Sequence, residues 1–450
     1  MNLQSDWSAY GSTTSSNALL TVNLLPGMVT GWGMPEPVPA GLPGAISIAQ
    51  GFSHGVALLT NTTVAAWGLN DDGQTNVPPG LSNVIQVAAG TSSSLALRSN
   101  GTVVAWGYGG FGLTNIPAAA TNVIALAAGA YHDLALTRSG TVVAWGYNFE
   151  GEVNVPSDLS NVVAIAAGTS HNLALKDDGT LIGWGDNACG ETNIPTGLTD
   201  AVALACGNGF SLVLRNNGKV FAWGAGDMDQ TNIPPGLSNV IAIAAGGGHS
   251  LALQADGTVV CWGATGEIEL PANLTDIIAV AAGGYNSLVL KGDASVFITV
   301  PPRARRVDRG ANATFTVMAA GDPPMSYQWR FNGTNIPGAT QNIYTRINVQ
   351  TTNAGLYSVV VSNFLGAVTS PPAPLFVNIP LLLTANGFIP NGFKVTVTGP
   401  PFVNVVLETS VNLNVWNPRV TNSTGGNGSF SYTDGAALNL VMRYYRARLQ

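Results

Sequence analysis

The chain has 450 residues, of which 46% are hydrophobic and only 9% charged, with 55 glycines and 26 prolines. This composition argues against disorder and against helical bundles, and suits many short strands joined by tight polar turns. The net charge of −7 is uneven: residues 1–292 carry 6 Lys+Arg against 19 Asp+Glu, or −13, and the remainder 11 against 5, or +6. So acidic a main region argues against nucleic-acid binding, which needs a basic footprint.

Residues 1–17 are polar and Ser/Thr-rich and read as a loose tail. The start lacks the basic region and apolar core of a signal peptide, and no run has the ~18 apolar residues of a membrane span. The lysine-poor, Thr/Asn-rich composition nevertheless suggests an extracellular or cell-surface protein whose leader is missing from this sequence.

From residue 18 to 292 one phrase organises everything. Trp-Gly recurs at Trp32, Trp67, Trp106, Trp145, Trp184, Trp223 and Trp262, with a first gap of 35 residues and then gaps of 39. A second phrase, seen as Ala166-Ala167-Gly168-Thr169-Ser170-His171-Asn172-Leu173-Ala174-Leu175, also occurs seven times. A period of about 40 residues rich in short β signals points to propeller blades. Trp32 ends a half repeat, six full units follow, and the phrase at Gly283 has no Trp-Gly after it. The two halves are expected to share one blade and so close a seven-bladed ring without free edges.

Within a unit four strands are expected. The first is 162–168, with a small Ala-Ala-Gly end for the crowded axis; the second begins at His171. After the Asp178-Gly179 hairpin turn the third ends at Trp184. A weaker fourth is expected around 191–195, where Pro195 suits an outer edge. Strand alternation puts the Gly-x-x-His turn and the loop after Trp-Gly at one end, the upper face. The pattern Ala-Ala-Gly-x-x-His-x-Leu-Ala-Leu-x-x-(Asp/Asn)-Gly-Thr-Val-x-x-Trp-Gly resembles the regulator of chromosome condensation repeat. With the 39-residue spacing and Gly73–Pro78 it looks most like the secreted bacterial branch, which includes a propeller-type β-lactamase inhibitor. The resemblance implies the propeller fold; for function it leaves nucleotide exchange, ubiquitin ligation, inhibition and adhesion open.

Residues 293–378 resemble an immunoglobulin-type sandwich, with 313–317 as strand B, Trp329 on strand C and a tyrosine-corner spacing at Tyr357. Val317 and Val359 stand where the usual cysteines would be. Residues 379–450 alternate as another small β-sandwich-like module. Arg303, Arg305, Arg306 and Arg309 lie between Pro-rich stretches and read as a solvated hinge. The architecture expected is therefore all-β throughout.

Little chemistry is visible. His54, His132, His171 and His249 share one repeat slot, but ligands must converge at about 2.1 Å on one metal ion and these belong to different blades. They read as turn histidines bonded to neighbouring backbone. The tryptophans read as blade core. Cys206 and Cys261 stand where sister repeats carry Ala, Cys189 is in a loop, and three cysteines make no disulfide framework. There is no phosphate loop, nucleophile elbow or calcium run, so neither a cofactor, a metal nor a catalytic residue is expected.

The upper face is the candidate site. Its loops carry acids, among them Glu150, Glu152, Asp186, Asp227 and Asp229, interleaved with Tyr108, Phe111, Tyr131, Tyr147, Phe149 and Tyr285. Aromatic anchors among carboxylates suit a protein-binding surface with charge steering. The expected protein is a monomeric, non-enzymatic scaffold that binds another protein or a cell-surface glycan, with no nucleic acid and no membrane span. Paired carboxylates also leave room for a polysaccharide-degrading enzyme. Guanine-nucleotide exchange follows only from the resemblance.

Overall fold

The computed structural model describes residues 27–33, 37–39, 42, 44–264, 268–379, 381–399, 404–424, 428–439 and 442–449. The expected tail at 1–17 and Glu267 lie outside them.

Each repeat folds into an antiparallel three-stranded sheet, the inner strand nearest the axis. In the fourth blade these strands are Val162–Ala167, His171–Lys176 and Leu181–Gly185, joined through Leu175↔Leu181 and His171↔Gly185. The middle strand is fully buried over His171–Leu175, which is why its Leu-Ala-Leu core shows no polar alternation. Blades 1 to 6 repeat this between residues 45 and 263. The seventh combines Ile277–Ala282 and Asn286–Lys291 with Met28–Gly33, in the order 28–33, 286–291, 277–282. The chain's first and last repeat halves therefore share one blade. Closure is sealed by one apolar cluster that takes Val29, Ala45, Ala57 and Trp67 together with Leu288 and Leu290.

The axis explains the invariant small residue of the repeat. A Cβ on Gly51 would collide with the carbonyl oxygen of Gly90, one on Gly90 with that of Gly129, and so on until one on Gly283 meets Gly51. Seven strands meet here with room only for backbone.

The expected fourth strand is not formed. Residues 191–195 run as turn and irregular chain, and their amides are satisfied locally: Thr192 N–H donates to Asn187 Oδ1 and Asn193 N–H to the Gly190 carbonyl. With its donors turned inward, and Pro195 lacking one, this segment has no ladder to offer.

After the ring, strands from Phe297 to Asn378 form the sandwich. Trp329, Phe315, Val317 and Val359 are fully buried, so two valines pack where a disulfide would be expected in such a domain. Tyr357 donates its hydroxyl to the Asn353 carbonyl at 3.0 Å, completing the tyrosine corner. The last module is two three-stranded sheets, one of 382–389, 392–398 and 429–434, the other of 417–423, 404–410 and 444–449, closed over Val395, Val397, Val405 and Leu407.

Of the four arginines expected to form a solvated hinge, Arg309 is exposed, but Arg303, Arg305 and Arg306 are engaged by the fold. Arg303 lies under the propeller, donating from Nε to the Val202 carbonyl at 3.1 Å and from Nη1 to that of Val163 at 2.6 Å. Thr299 Oγ1 donates likewise to Ile241. These carbonyls sit where the first strands of blades 4, 5 and 6 bulge, which frees them from the ladder. Arg306 Nε pairs with Asp177 Oδ2 at 3.1 Å. Val300, Met318 and Ala320 of the sandwich join the ring's own apolar cluster with Val202, Ile241 and Ile278. The lower face is thus partly occupied by the chain itself.

Candidate functional site

The upper face is built on a latch that recurs between blades. The loop after the Trp-Gly of each of blades 1 to 5 turns back and buries one residue, Gln74, Leu113, Glu152, Glu191 or Gln230, against the next blade. The carbonyl of that residue accepts the indole N–H of the next tryptophan, at 2.9 Å for Trp106, Trp184, Trp223 and Trp262 and 3.0 Å for Trp145. Where the residue is Gln or Glu, its side chain also accepts the backbone N–H two positions earlier, as Glu152 Oε2 does from Glu150 at 2.9 Å. These loops are therefore rigid platforms rather than loose connections.

This corrects one expected site residue. Glu152 is 1% exposed and belongs to the latch, as does Glu191, so neither carboxylate is on the binding rim. Glu150, two residues earlier, is exposed. A paired-carboxylate reading of Glu150 and Glu152 has no support in this arrangement.

The histidines lie directly beneath. Each is buried, and its ring bonds not to neighbouring backbone but to a side chain of the next blade: His54 to Ser94 at 2.9 Å, His132 to Asn172 at 2.8 Å, His171 to Ser211 at 3.0 Å, His249 to Ser287 at 2.7 Å. Burial presses the pKa of His54, His132 and His171 down to about 4, leaving them neutral. Among the described residues no group of His, Cys, Asp and Glu is arranged to hold a metal. Ser93, Phe210 and Asn286 fill the slot in the other three blades, and the joint at Ser93 differs most. Ser93 stands in the histidine slot opposite Asp133, and neither its hydroxyl nor either carboxylate oxygen has a partner. Asp133 is fully buried, which pushes its pKa well above the carboxylate range.

Above that joint lies the aromatic platform. Tyr108 and Phe111 follow blade 2, Tyr131 opens blade 3, and Tyr147 and Phe149 follow blade 3. Their rings form one connected group: Tyr108–Phe111 and Phe111–Tyr131 centroids are 5.9 Å apart, Tyr108–Tyr131 6.5 Å, Phe111–Tyr147 4.7 Å and Tyr147–Phe149 6.3 Å. Phe111 adopts φ 56° and is 52% exposed, and Phe149 is 78% exposed. A phenylalanine held at positive φ with half its surface in water gains little from folding. Tyr285 stands apart from this group, packed edge-on against Phe52 at 5.1 Å where blades 7 and 1 meet.

The carboxylates lie beside the platform. Asp186 and Asp227 line a cavity of about 370 Å³ between blades 4 and 5, with Cys189, Met228 and the buried Glu191. Asp229, also exposed, takes φ 60° and accepts a hydrogen bond from Asn232 Nδ2 at 2.5 Å. All six Lys and Arg of the ring, Arg98, Arg138, Lys176, Arg215, Lys219 and Lys291, fall at the ends of middle strands or in the hairpin turns below. Among the described residues the upper face carries acids and no Lys or Arg. The latch was missed in the sequence, although a Gln or Glu recurring after Gly73, Gly151 and Gly190 signals a structural rather than a binding role.

Comparison with known proteins agrees with this geometry. The regulator of chromosome condensation (RCC1) repeat model matches residues 45–74, 84–113, 123–152, 162–191, 201–230 and 240–266, and an immunoglobulin domain model matches 297–363. The first five repeats each end on the buried latch residue. No curated protein matches the chain. Among solved structures it is similar to Prp20p from Saccharomyces cerevisiae, at 23% identity over 59% of this chain and 91% of that one, with a TM-score of 0.51. Human WBSCR16 is similar at 22% identity, over 58% and 90%, with a TM-score of 0.49. Titin M4 matches at 25% identity over 18% of this chain and 95% of its own, with a TM-score of 0.17. The chain therefore carries regulator of chromosome condensation repeats folded as a propeller, followed by an immunoglobulin-like domain.

Proposed function

We propose that the protein is a non-enzymatic binding scaffold whose upper face engages another protein through a basic surface. The observation that carries this reading is the connected platform of Tyr108, Phe111, Tyr131, Tyr147 and Phe149, largely exposed, on a face whose charged side chains among the described residues are all carboxylates. Exposed aromatic anchors supply most of the energy in many protein interfaces, and charges of one sign steer and select the partner. Latched loops limit the entropy lost on binding. The lower face is partly covered by Arg303 and the sandwich, which favours the upper one. Prp20p, of similar fold, has binding properties towards Gsp1p and histones.

The composition and the appended β modules support action outside the cell. Recovery of the chain from the cytosol of its producer would reject that placement. The test of the site is a pull-down with the full chain, wild type against a variant with Tyr108, Phe111, Tyr147 and Phe149 all changed to Ala. The expected result is a protein captured by the wild type, released by high salt and not captured by the variant. Undiminished capture by the variant rejects the platform. Retention on glycan beads with no protein captured rejects the protein partner in favour of carbohydrate.

A further inference from the structure

The C-terminal module carries a surface unrelated to the propeller's upper face. Between the strands Asn404–Ser410 and Asn417–Ser423 the chain makes a tight loop, Val411-Asn412-Leu413-Asn414-Val415-Trp416. Its three aliphatic side chains are more than half exposed: Val411 54%, Leu413 53%, Val415 60%. An unstructured loop with this composition would collapse onto the module. This one is held open by its own polar residues.

Ser410 Oγ accepts the amides of Asn412 and Leu413, at 3.2 and 2.9 Å. Asn412 Oδ1 accepts those of Asn414 and Val415, at 3.0 and 3.1 Å. The Trp416 indole N–H donates to the Leu413 carbonyl at 3.0 Å. Four successive backbone donors and the indole are thus satisfied inside the loop while its apolar side chains face outward. A loop that recognises another protein through its backbone would leave some of those donors free. A loop that enters a medium poor in hydrogen-bonding groups must satisfy them itself.

The rim is cationic. Arg446 lies over the Trp416 ring, its guanidinium carbon 4.4 Å from the centroid. Arg446 and Arg448 share the single buried carboxylate of Glu408, at 2.7 and 3.2 Å, so the group keeps one net positive charge. Arg419 adds another, bonded to the Thr409 hydroxyl rather than to an acid. The module's other carboxylate, Asp434, is held by Arg443.

We propose that this loop is a peripheral attachment site for an anionic lipid surface. Val411, Leu413 and Val415 would enter the headgroup–acyl boundary, Trp416 would sit at its level, and Arg419, Arg446 and Arg448 would face the lipid charges. The loop shares no residue with the propeller's upper face.

The test is co-sedimentation of the full chain with vesicles of phosphatidylcholine alone and of phosphatidylcholine mixed with phosphatidylglycerol. The comparison is with the double variant Leu413→Asn, Val415→Asn. Asparagine tolerates the φ of 64° at position 413, so the loop should keep its shape, and an unchanged melting curve checks this. Binding is expected to the mixed vesicles only, weakened by salt and at least about tenfold weaker in the variant. No binding to the mixed vesicles overturns the proposal. So does binding that the variant retains, and so does binding to a soluble polyanionic glycan in preference to vesicles.

Discussion

The indole N–H of Trp184 donates to the carbonyl of Glu152 at 2.9 Å, while the carboxylate of the same glutamate accepts the backbone N–H of Glu150. One buried residue thus ties its own loop and the next blade together. Its neighbour Glu150 takes no part through its side chain. Changing Glu152 to Ala leaves the partly buried Glu150 amide without its acceptor and empties a buried site, and should cost about 1–3 kcal/mol in urea unfolding. Glu150→Ala, at an exposed position, should stay within about 0.5 kcal/mol. Equal effects of the two substitutions would mean that the latch does not hold the loop.

The buried histidines set the acid limit of the ring. His54, His132 and His171 have pKa values of about 4 in the fold against 6.5 as free side chains, because burial disfavours the charged ring. Between those values the unfolded chain binds more protons than the native one, so stability rises with pH. The contribution is complete above pH 6.5 and is lost as pH falls towards 4, at up to about 1.4 kcal/mol per pH unit for each ring. Replacing His171 by Gln, which can still reach Ser211, should flatten the fall measured by denaturant titration across that window. An unchanged slope would show that the ring is not neutral in the fold.

Asp133 has the opposite sign. Its folded pKa is raised by burial, so the native state holds the proton more tightly. Its contribution is therefore whole below the unfolded pKa near 3.9 and declines as pH rises through the raised folded value. In the sister blades the equivalent Ser94, Asn172, Ser211 and Ser250 donate to the latch carbonyl at 2.8–3.0 Å, a bond that ionised Asp133 cannot make with Leu113. Asp133→Asn supplies the donor without the charge. It should raise stability at pH 8 and have little effect near pH 4. Destabilisation at pH 8 would show that the carboxylate has a partner in solution.

The fold was legible because backbone geometry repeats. The 39-residue period, the split first and last repeats and the tyrosine corner each follow from spacing alone, and each is present. What spacing does not encode is which way a side chain points across a tight turn. Glu150 and Glu152 look alike in the sequence, yet one faces water and the other the next blade. The expected fourth strand failed for a related reason, since the Asn187 side chain competes with the ladder for the backbone donors around Thr192. The aromatic platform was found as a set of residues, but not that Tyr285 would lie elsewhere beside Phe52. That depends on how the ring closes. Arg303 was least legible of all, because its partners Val163 and Val202 are 140 and 101 residues away and contribute only carbonyl oxygens.

That arginine gives the last prediction. Pro301 and Pro302 stiffen the connection, and Arg303 then anchors it to two bulge carbonyls beneath the ring. Burial lowers its pKa to about 10, with Arg305 acting in the same direction, so it stays charged at neutral pH. Hydrogen bonds from a charged donor contribute about 1.5–3 kcal/mol each. Arg303→Ala should therefore loosen the sandwich from the ring without unfolding either. The expected signs are a larger radius of gyration by small-angle scattering and faster proteolysis around residues 301–304. Arg330→Ala, whose guanidinium reaches only the exposed Asn335 of the same sandwich, is the control and should change neither. If the Arg303 variant keeps the wild-type radius, the apolar contacts of Val300, Met318 and Ala320 with Ile241 and Ile278 hold the joint instead.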